Sequence, residues 1–268
     1  MIDSHTHSFH SHDGQTSISN LVKRAAELKM EYIAITEHFD KDYKFGNSER
    51  FCRQLNLKGY KRAFDKVKSR YDGDTYVAFG IELGYDKRLE DYYDSVQKEY
   101  DFDVVINSVH TLGGIEAYYG NIFKNTTQDE VYFRYLDTLI DSVNAKYNFN
   151  IISHIGYVTR YAKYENNLLW QDRFKSKIDD LLKLIIEKDK TLEINTHVSK
   201  NGLEFLPETD ILKRYVALGG SNVTFSSDAH KAKFVADKYQ LARDFCHEIG
   251  LKEWTIYKKG VPYKIGID

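Results

Sequence analysis

Tyr32-Ile33-Ala34-Ile35-Thr36 passes without a break into Glu37-His38. An apolar, β-branched run of this length reads as a strand buried on both faces, and the side chains at its carboxyl end are ones that can ligate metal. The same construction recurs along the chain. Seven short apolar segments run into His5/His7, Glu37/His38, Glu82, His110, His154, Asn195/His197 and Asp228/His230. Nine of the ten histidines (His5, His7, His10, His12, His38, His110, His154, His197 and His230) lie within or just after these strand ends; only His247 falls elsewhere, in a late helical stretch.

Thr75–Phe79, Phe102–Ile106, Phe149–Ile152, Thr191–Ile194 and Asn222–Phe225 share the composition of the first segment and read as further parallel strands. Amphipathic stretches separate them: Ile18–Leu28, Phe51–Val67, Glu130–Val143, Ile178–Ile186 and Phe234–Ile249 carry apolar residues three or four apart and are expected to be helices. Strands alternating with helices imply right-handed βα crossovers. With reactive residues always at strand carboxyl ends, the pattern predicts an α/β fold: a distorted seven-stranded (β/α)7 barrel, TIM-barrel-like, with its site on one face. A doubly wound open sheet is the rival, but it gathers ligands at a single switch point. Ligands from all seven strand ends favour closure. The tail Trp254–Ile265, with Lys259-Gly260-Val261-Pro262, reads as a terminal strand or hairpin outside the barrel repeat.

A chain of 268 residues suits one barrel with a continuous core, so residues 1–268 are read as a single domain. Charged residues at 29%, hydrophobic ones at 42% and a net charge of -2 exclude disorder and a strongly basic nucleic-acid surface, and point to a soluble globular protein. No apolar run approaches the roughly 20 residues of a membrane span. The candidate site begins at Asp3, which predicts no cleaved leader. Cys52 and Cys246 lack redox or metal spacing, as expected of a cytoplasmic chain without a disulfide framework. The 21 Tyr and 15 Phe reach beyond the strands and are expected to fill gaps between helices and barrel.

His5-Thr6-His7 places two imidazoles on one side of an extended segment, able to grip one cation together. Asp228-Ala229-His230 repeats that geometry at the last strand, and the first and last strands become neighbours only if the sheet closes. Glu82 ends an apolar strand, where a carboxylate is costly to bury without a cation or hydrogen-bond partners; it is read as a bridge between two metals. His110, after Asn107-Ser108-Val109, and His154, after Ile151-Ile152-Ser153, are read as ligands beside it. His38 and His230 are expected to hold a further cation with a side chain from the loop Ser8–Gly14, which offers His10, His12 and Asp13. His12 is the first choice and Asp13 the second, with His10 supporting the site or touching substrate.

Together these elements resemble the polymerase and histidinol phosphatase (PHP) family of metal-dependent phosphoesterases, over nearly the whole chain. The family's opening HxH is similar to His5-Thr6-His7, its Thr-(Asp/Glu)-His element to Thr36-Glu37-His38, its bridging Glu to Glu82, and its closing Ser-Asp-Ala-His to Ser227-Asp228-Ala229-His230. Ser108-Val109-His110 and Leu192-Glu193-Ile194-Asn195-Thr196 look most like the branch that hydrolyses L-histidinol phosphate in histidine biosynthesis. The resemblance implies three divalent metals: one on His5, His7, Glu82 and Asp228, one on Glu82, His110 and His154, and one on His12, His38 and His230. Two departures qualify it. The opening loop varies in length within the family, so His12 and Asp13 compete for one role, and His197 stands where a small residue and a Gly are expected.

Three divalent cations, offset by Glu82, Asp228 and a bridging hydroxide, leave a strongly positive pocket suited to a phosphate dianion. Imidazole and carboxylate ligands without thiolate suit Zn²⁺, Mn²⁺ or Fe²⁺. The expected reaction is attack on phosphorus by a water activated at the pair bridged by Glu82, with Asp228 or His197 protonating the departing alcohol. Arg160, six residues past His154, offers a planar fork for phosphate oxygens. The loops 39–48 and 111–126 carry Asp40, Asp42, Glu116, Tyr118 and Tyr119, candidates for meeting an amino group and an imidazole; of these Asp40 and Glu116, with His197 and Arg160, are the substrate-contact choices. The expected partner is a small-molecule phosphomonoester, not nucleic acid or membrane. A nucleotide phosphoesterase or exonuclease of the same family and a non-catalytic metal-binding domain are the alternatives.

Overall fold

The computed structural model describes residues 1–42, 53–197 and 203–267. Cys52, the expected helix start at Phe51, the loop positions 43–48 and Val198-Ser199-Lys200 lie outside the described residues. The chain opens with β1 (Ile2–Asp3), α1 (Ile18–Glu27), β2 (Tyr32–Phe39), α2 (Leu57–Lys68), β3 (Tyr76–Gly84), α3 (Glu90–Glu99) and β4 (Val104–Ser108). A small antiparallel pair, β5 (Thr111–Leu112) and β6 (Ile115–Glu116), precedes α4 (Gln128–Val143). Then come β7 (Ile151–Ile152), α5 (Asp172–Glu187), β8 (Thr191–Asn195), α6 (Thr209–Ala217), β9 (Val223–Ser226), α7 (Tyr239–Glu248), β10 (Glu253–Lys258) and β11 (Val261–Gly266).

The helix starts follow from local chemistry. Ser17 caps α1 by accepting from the Asn20 N–H, Asn56 caps α2 through the Gly59 N–H, and Thr127 and Glu130 form a reciprocal capping box at α4. Two helices were not read from the sequence. α3 buries only Glu90, Tyr93 and Val96, too weak an apolar stripe to see, and α6 is nine residues long. α7 begins at Tyr239 rather than near Phe234, because Ala236 and Lys238 adopt positive φ values of 57° and 58°.

The main sheet runs β1-β2-β3-β4-β7-β8-β9-β10-β11, and every pairing is parallel except the final hairpin β10–β11. Strand order follows chain order throughout, so there is no reversal of the kind that makes a doubly wound switch point. The expected count of seven is corrected to nine. The tail that was expected outside the repeat joins the sheet instead, through the parallel pair Trp254–Val223. Its reason is burial. Trp254, Thr255, Ile256 and Tyr257 are all buried, and the Tyr257 carbonyl accepts from the Tyr32 hydroxyl at 3.0 Å while its own hydroxyl meets Thr191 Oγ1 at 2.7 Å. Lys259 N–H donates to Asp103 Oδ1. The hairpin thus lies against the amino ends of β2, β4 and β8, opposite the carboxyl ends where the histidines gather.

At that other end β1 meets β9, the seventh strand of the sheet. Ser4 N–H donates to Phe225 O at 3.0 Å, His7 N–H to Ala229 O at 2.9 Å, and Thr6 and Ala229 form an isolated parallel bridge.

Candidate metal centre

Backbone register assembles the site. Because Thr6 pairs with Ala229, His5 and His7 flank that bridge on one chain segment while Asp228 and His230 flank it on the other, and the four side chains converge. In the β2–β3 pairing His38 stands directly opposite Glu82, and their side chains meet, Nδ1 to Oε2, at 2.5 Å. β3 pairs next with β4, which leads to His110, and β7 and its following residues bring in His154.

Glu82 lies at the centre, fully buried, with its two oxygens facing different histidines. Oε2 is 3.4 Å from His5 Nε2 and 3.7 Å from His7 Nε2. Oε1 is 3.2 Å from His110 Nε2 and 3.1 Å from His154 Nε2, and those two nitrogens are 3.4 Å apart. Asp228 Oδ1 completes the first group, 3.2 Å from His7 Nε2 and 3.9 Å from His5 Nε2. A further group forms around His38 and His230, whose Nε2 atoms stand 3.3 Å apart. Asp13 is the loop residue that meets both, Oδ1 at 3.5 Å from His38 and Oδ2 at 3.2 Å from His230. His12 stands one step out: its Nε2 is 3.8 Å from Asp13 Oδ2 and its ring centroid 5.3 Å from that of His38. His10 packs against Tyr60 instead, at 5.6 Å between rings.

The donor set fits divalent cations. His5 Nε2, His7 Nε2 and Asp228 Oδ1 are buried and make no hydrogen bond, although they converge with Glu82 Oε2. A buried polar atom left without a hydrogen bond costs on the order of 1–3 kcal/mol, and several aimed at one point describe a cation's coordination shell. His7 with His38 and His230, His5 and His7 with Asp228, and Glu82 with His110 and His154 are groups whose ligand atoms lie within 4.8 Å of one another.

Other side chains orient these groups. Asp40 Oδ1 accepts from His110 Nδ1 at 2.8 Å, and Gly84 makes room for it: a Cβ there would stand 1.8 Å from the same oxygen. Ser11 Oγ meets His7 Nδ1 at 3.1 Å and donates to the buried Glu37 at 2.5 Å. Asp228 holds a left-handed φ of 50°, uncommon for a residue with a side chain, and its carbonyl accepts from His230 Nδ1 at 2.9 Å and His197 Nδ1 at 3.0 Å.

Burial alone would push the Glu82 carboxyl up, but His38, His5 and His110 outweigh it and hold it well below the usual carboxylate range. Asp228 is depressed in the same way, His5 and His7 prevailing over burial. Against burial, Glu82 raises His5 and His38 well above ordinary imidazole, and Asp40 with Glu82 pushes His110 up to about 10. His7 and His154 go the other way because burial dominates.

A cavity of about 710 Å³ opens over this cluster, lined among others by Arg160, Glu116, Tyr118, Tyr119, Asp40 and His197. The Arg160 side chain is largely covered, donating to Asn195 Oδ1 at 3.1 Å with Asp228 Oδ2 at 3.9 Å. Glu116 accepts from the Tyr157 hydroxyl at 2.8 Å. Asp42 pairs with Lys41 at 3.2 Å and does not line this cavity. Glu193 was missed as a site residue. It is buried in β8 and accepts from His5 Nδ1 at 2.7 Å; its period-two spacing to Asn195 was the available signal.

Among the described residues, no helix is long and apolar enough to cross a membrane. Over 266 residues the chain is 28% identical to the probable histidinol-phosphatase of Clostridium acetobutylicum, covering 98% of this chain and 99% of that one. It is 29% identical to the histidinol-phosphatase of Lactococcus lactis, covering 96% and 94%. The crystal structure of the Lactococcus lactis histidinol phosphate phosphatase, complexed with zinc, L-histidinol and phosphate, superposes with a TM-score of 0.87 at 27% identity over 98% of each chain. The PHP domain family matches residues 3–197, which include most of the histidines and acids assembled above, and the chain belongs to that family.

Proposed function

We propose that this chain is a metal-dependent phosphomonoesterase that hydrolyses L-histidinol phosphate to L-histidinol and phosphate in histidine biosynthesis. The observation that carries this reading is the division of Glu82, one oxygen toward His5 and His7 and the other toward His110 and His154. The relative crystallised with zinc, L-histidinol and phosphate supports the substrate. In this reading His5, His7, Glu82 and Asp228 hold one cation, Glu82, His110 and His154 a second, and His38 and His230 a third, with Asp13 better placed than His12 to complete it. Zinc, manganese or iron would suit these nitrogen and oxygen donors. When bound, the cations supply Lewis-acid stabilisation of phosphoryl charge and lower the pKa of a water. The sheet is read as a closed barrel in one domain, residues 1–268, on the strength of the Thr6–Ala229 bridge, and a cytoplasmic setting belongs to the same proposal.

The chain's own residues do the rest. Arg160, held beside Asn195 and Asp228, presents its guanidinium to phosphate oxygens at the cavity wall. His197, whose side chain is half exposed at the mouth, has its Nδ1 proton engaged by the Asp228 carbonyl, so as an imidazolium it delivers its Nε2 proton to the leaving alkoxide; Asp228, held ionised, has none to give and serves as a ligand. Glu116, Tyr118 and Tyr119 offer a carboxylate and aromatic faces to the amino group and imidazole of the substrate. Asp40 lines the cavity too, but its bond to His110 favours an orienting role.

Turnover with Zn²⁺, Mn²⁺ or Fe²⁺ tests the substrate. Histidinol phosphate should exceed nucleoside monophosphates and p-nitrophenyl phosphate in kcat/KM by about 100-fold or more, since a site built on hydrogen bonds rejects ligands lacking the partners. Faster hydrolysis of nucleotides would overturn the assignment. Arg160→Met should lower kcat/KM roughly 10–100-fold, the worth of one charge-assisted hydrogen bond, and weaken inhibition by inorganic phosphate in proportion. Unchanged phosphate inhibition would remove Arg160 from the phosphate site.

A further inference from the structure

Glu193 does something the ligand sets do not require. It is buried in the middle of β8, and its two oxygens serve different strands. Oε1 meets His5 Nδ1 at 2.7 Å, while Oε2 accepts the main-chain N–H of His154 at 2.6 Å and the Asn195 amide at 3.2 Å. An ionised carboxylate can only accept, so the proton of that first bond sits on His5 Nδ1, and in the neutral ring that a cation requires the lone pair is on Nε2. His5 Nε2 is the atom that faces Glu82 and makes no hydrogen bond. Glu193 therefore ties the ring of a residue in the first group to the backbone of a residue in the second. His7 has a less direct arrangement, through the Ser11 hydroxyl to Glu37.

We propose that Glu193 is a positioning residue for both cation sites flanking Glu82: it locks His5 in the Nδ1–H tautomer and sets the placement of His5 relative to His154. The inference rests on the metal-centre reading above. A carboxylate held this way around a ligating histidine raises ligand basicity and restricts the ring to one rotation, and removal of such partners typically costs 10–100-fold in metal affinity. Glu193→Gln is a demanding change, because an amide nitrogen must then face either the His5 N–H or the two donors at Oε2.

Two measurements test it. In the Zn²⁺-loaded wild-type protein labelled with ¹⁵N-histidine, His5 should show a strongly hydrogen-bonded Nδ1 proton and a metal-shifted Nε2; zinc bound through Nδ1 would overturn the proposal without any variant. Glu193→Gln, with unchanged circular dichroism, should then shift that proton signal toward a weaker hydrogen bond or lose it, and bind Zn²⁺ about 10–100-fold more weakly in competition with a chromophoric chelator. Wild-type affinity in the folded variant would overturn the positioning role alone. Failure of the wild-type protein itself to bind Zn²⁺ would overturn the metal-centre reading and this inference with it, so the two failures are told apart by the wild-type control.

Discussion

Glu82→Gln should give a folded protein that binds fewer cations and hydrolyses histidinol phosphate at least about 1,000-fold more slowly. The substitution keeps the shape of the side chain but removes its charge and puts an amide nitrogen toward either His5 and His7 or His110 and His154. Loss of bridged metal catalysis is worth several kcal/mol, and each ~1.4 kcal/mol is a decade in rate. The fold should survive, because the backbone pairing of β3 with β2 and β4 does not involve the carboxyl group. Near-normal turnover with full metal content would rule out a bridging carboxylate; metal analysis and steady-state kinetics on the same sample decide it.

Each divalent cation bound should raise the melting temperature by about 10 °C at a free concentration near 1,000 times its dissociation constant. Such binding stabilises the native state by about 4 kcal/mol, and a chain of this size gains roughly 2–4 °C per kcal/mol. The effect should shrink as pH falls. His5, His38 and His110 hold protons more tightly than ordinary imidazole, His110 up to about 10, and a cation at their ring nitrogens must displace those protons. Loading should therefore release protons into weakly buffered solution, and the shift in melting temperature should be larger at pH 8 than at pH 6. A shift independent of pH would mean that the cations bind elsewhere.

Much of this site was legible because the ligands end strands. His38, Glu82, His154 and Asp228 follow apolar runs whose period and length mark them, His5 is marked by its HxH pair with His7, and parallel strands present their carboxyl ends together. Register was less visible. That His38 faces Glu82 across β2–β3, and that the bridge at Thr6–Ala229 aligns two x-His pairs, are long-range pairings no local pattern encodes. Asp13 and His12 are adjacent on an irregular loop, where no periodicity tells which side chain turns inward; contacts such as Phe9 N–H to Thr16 O shape that loop. Asp40 acquires its orienting role only because Gly84, far along the chain, leaves it space. The tail was readable as a hairpin, but its place against Tyr32 and Thr191 depends on contacts across most of the sequence.

Anomalous X-ray scattering from crystals of the zinc-loaded protein tests the convergence of these ligands most directly. Peaks should lie about 2.0–2.2 Å from the ring nitrogens and carboxylate oxygens of His5, His7, Glu82 and Asp228, and again of Glu82, His110 and His154, with another beside His38 and His230. Crystals showing no zinc at these side chains, or zinc bound only at surface histidines, would contradict the metal centre and the phosphatase chemistry built on it.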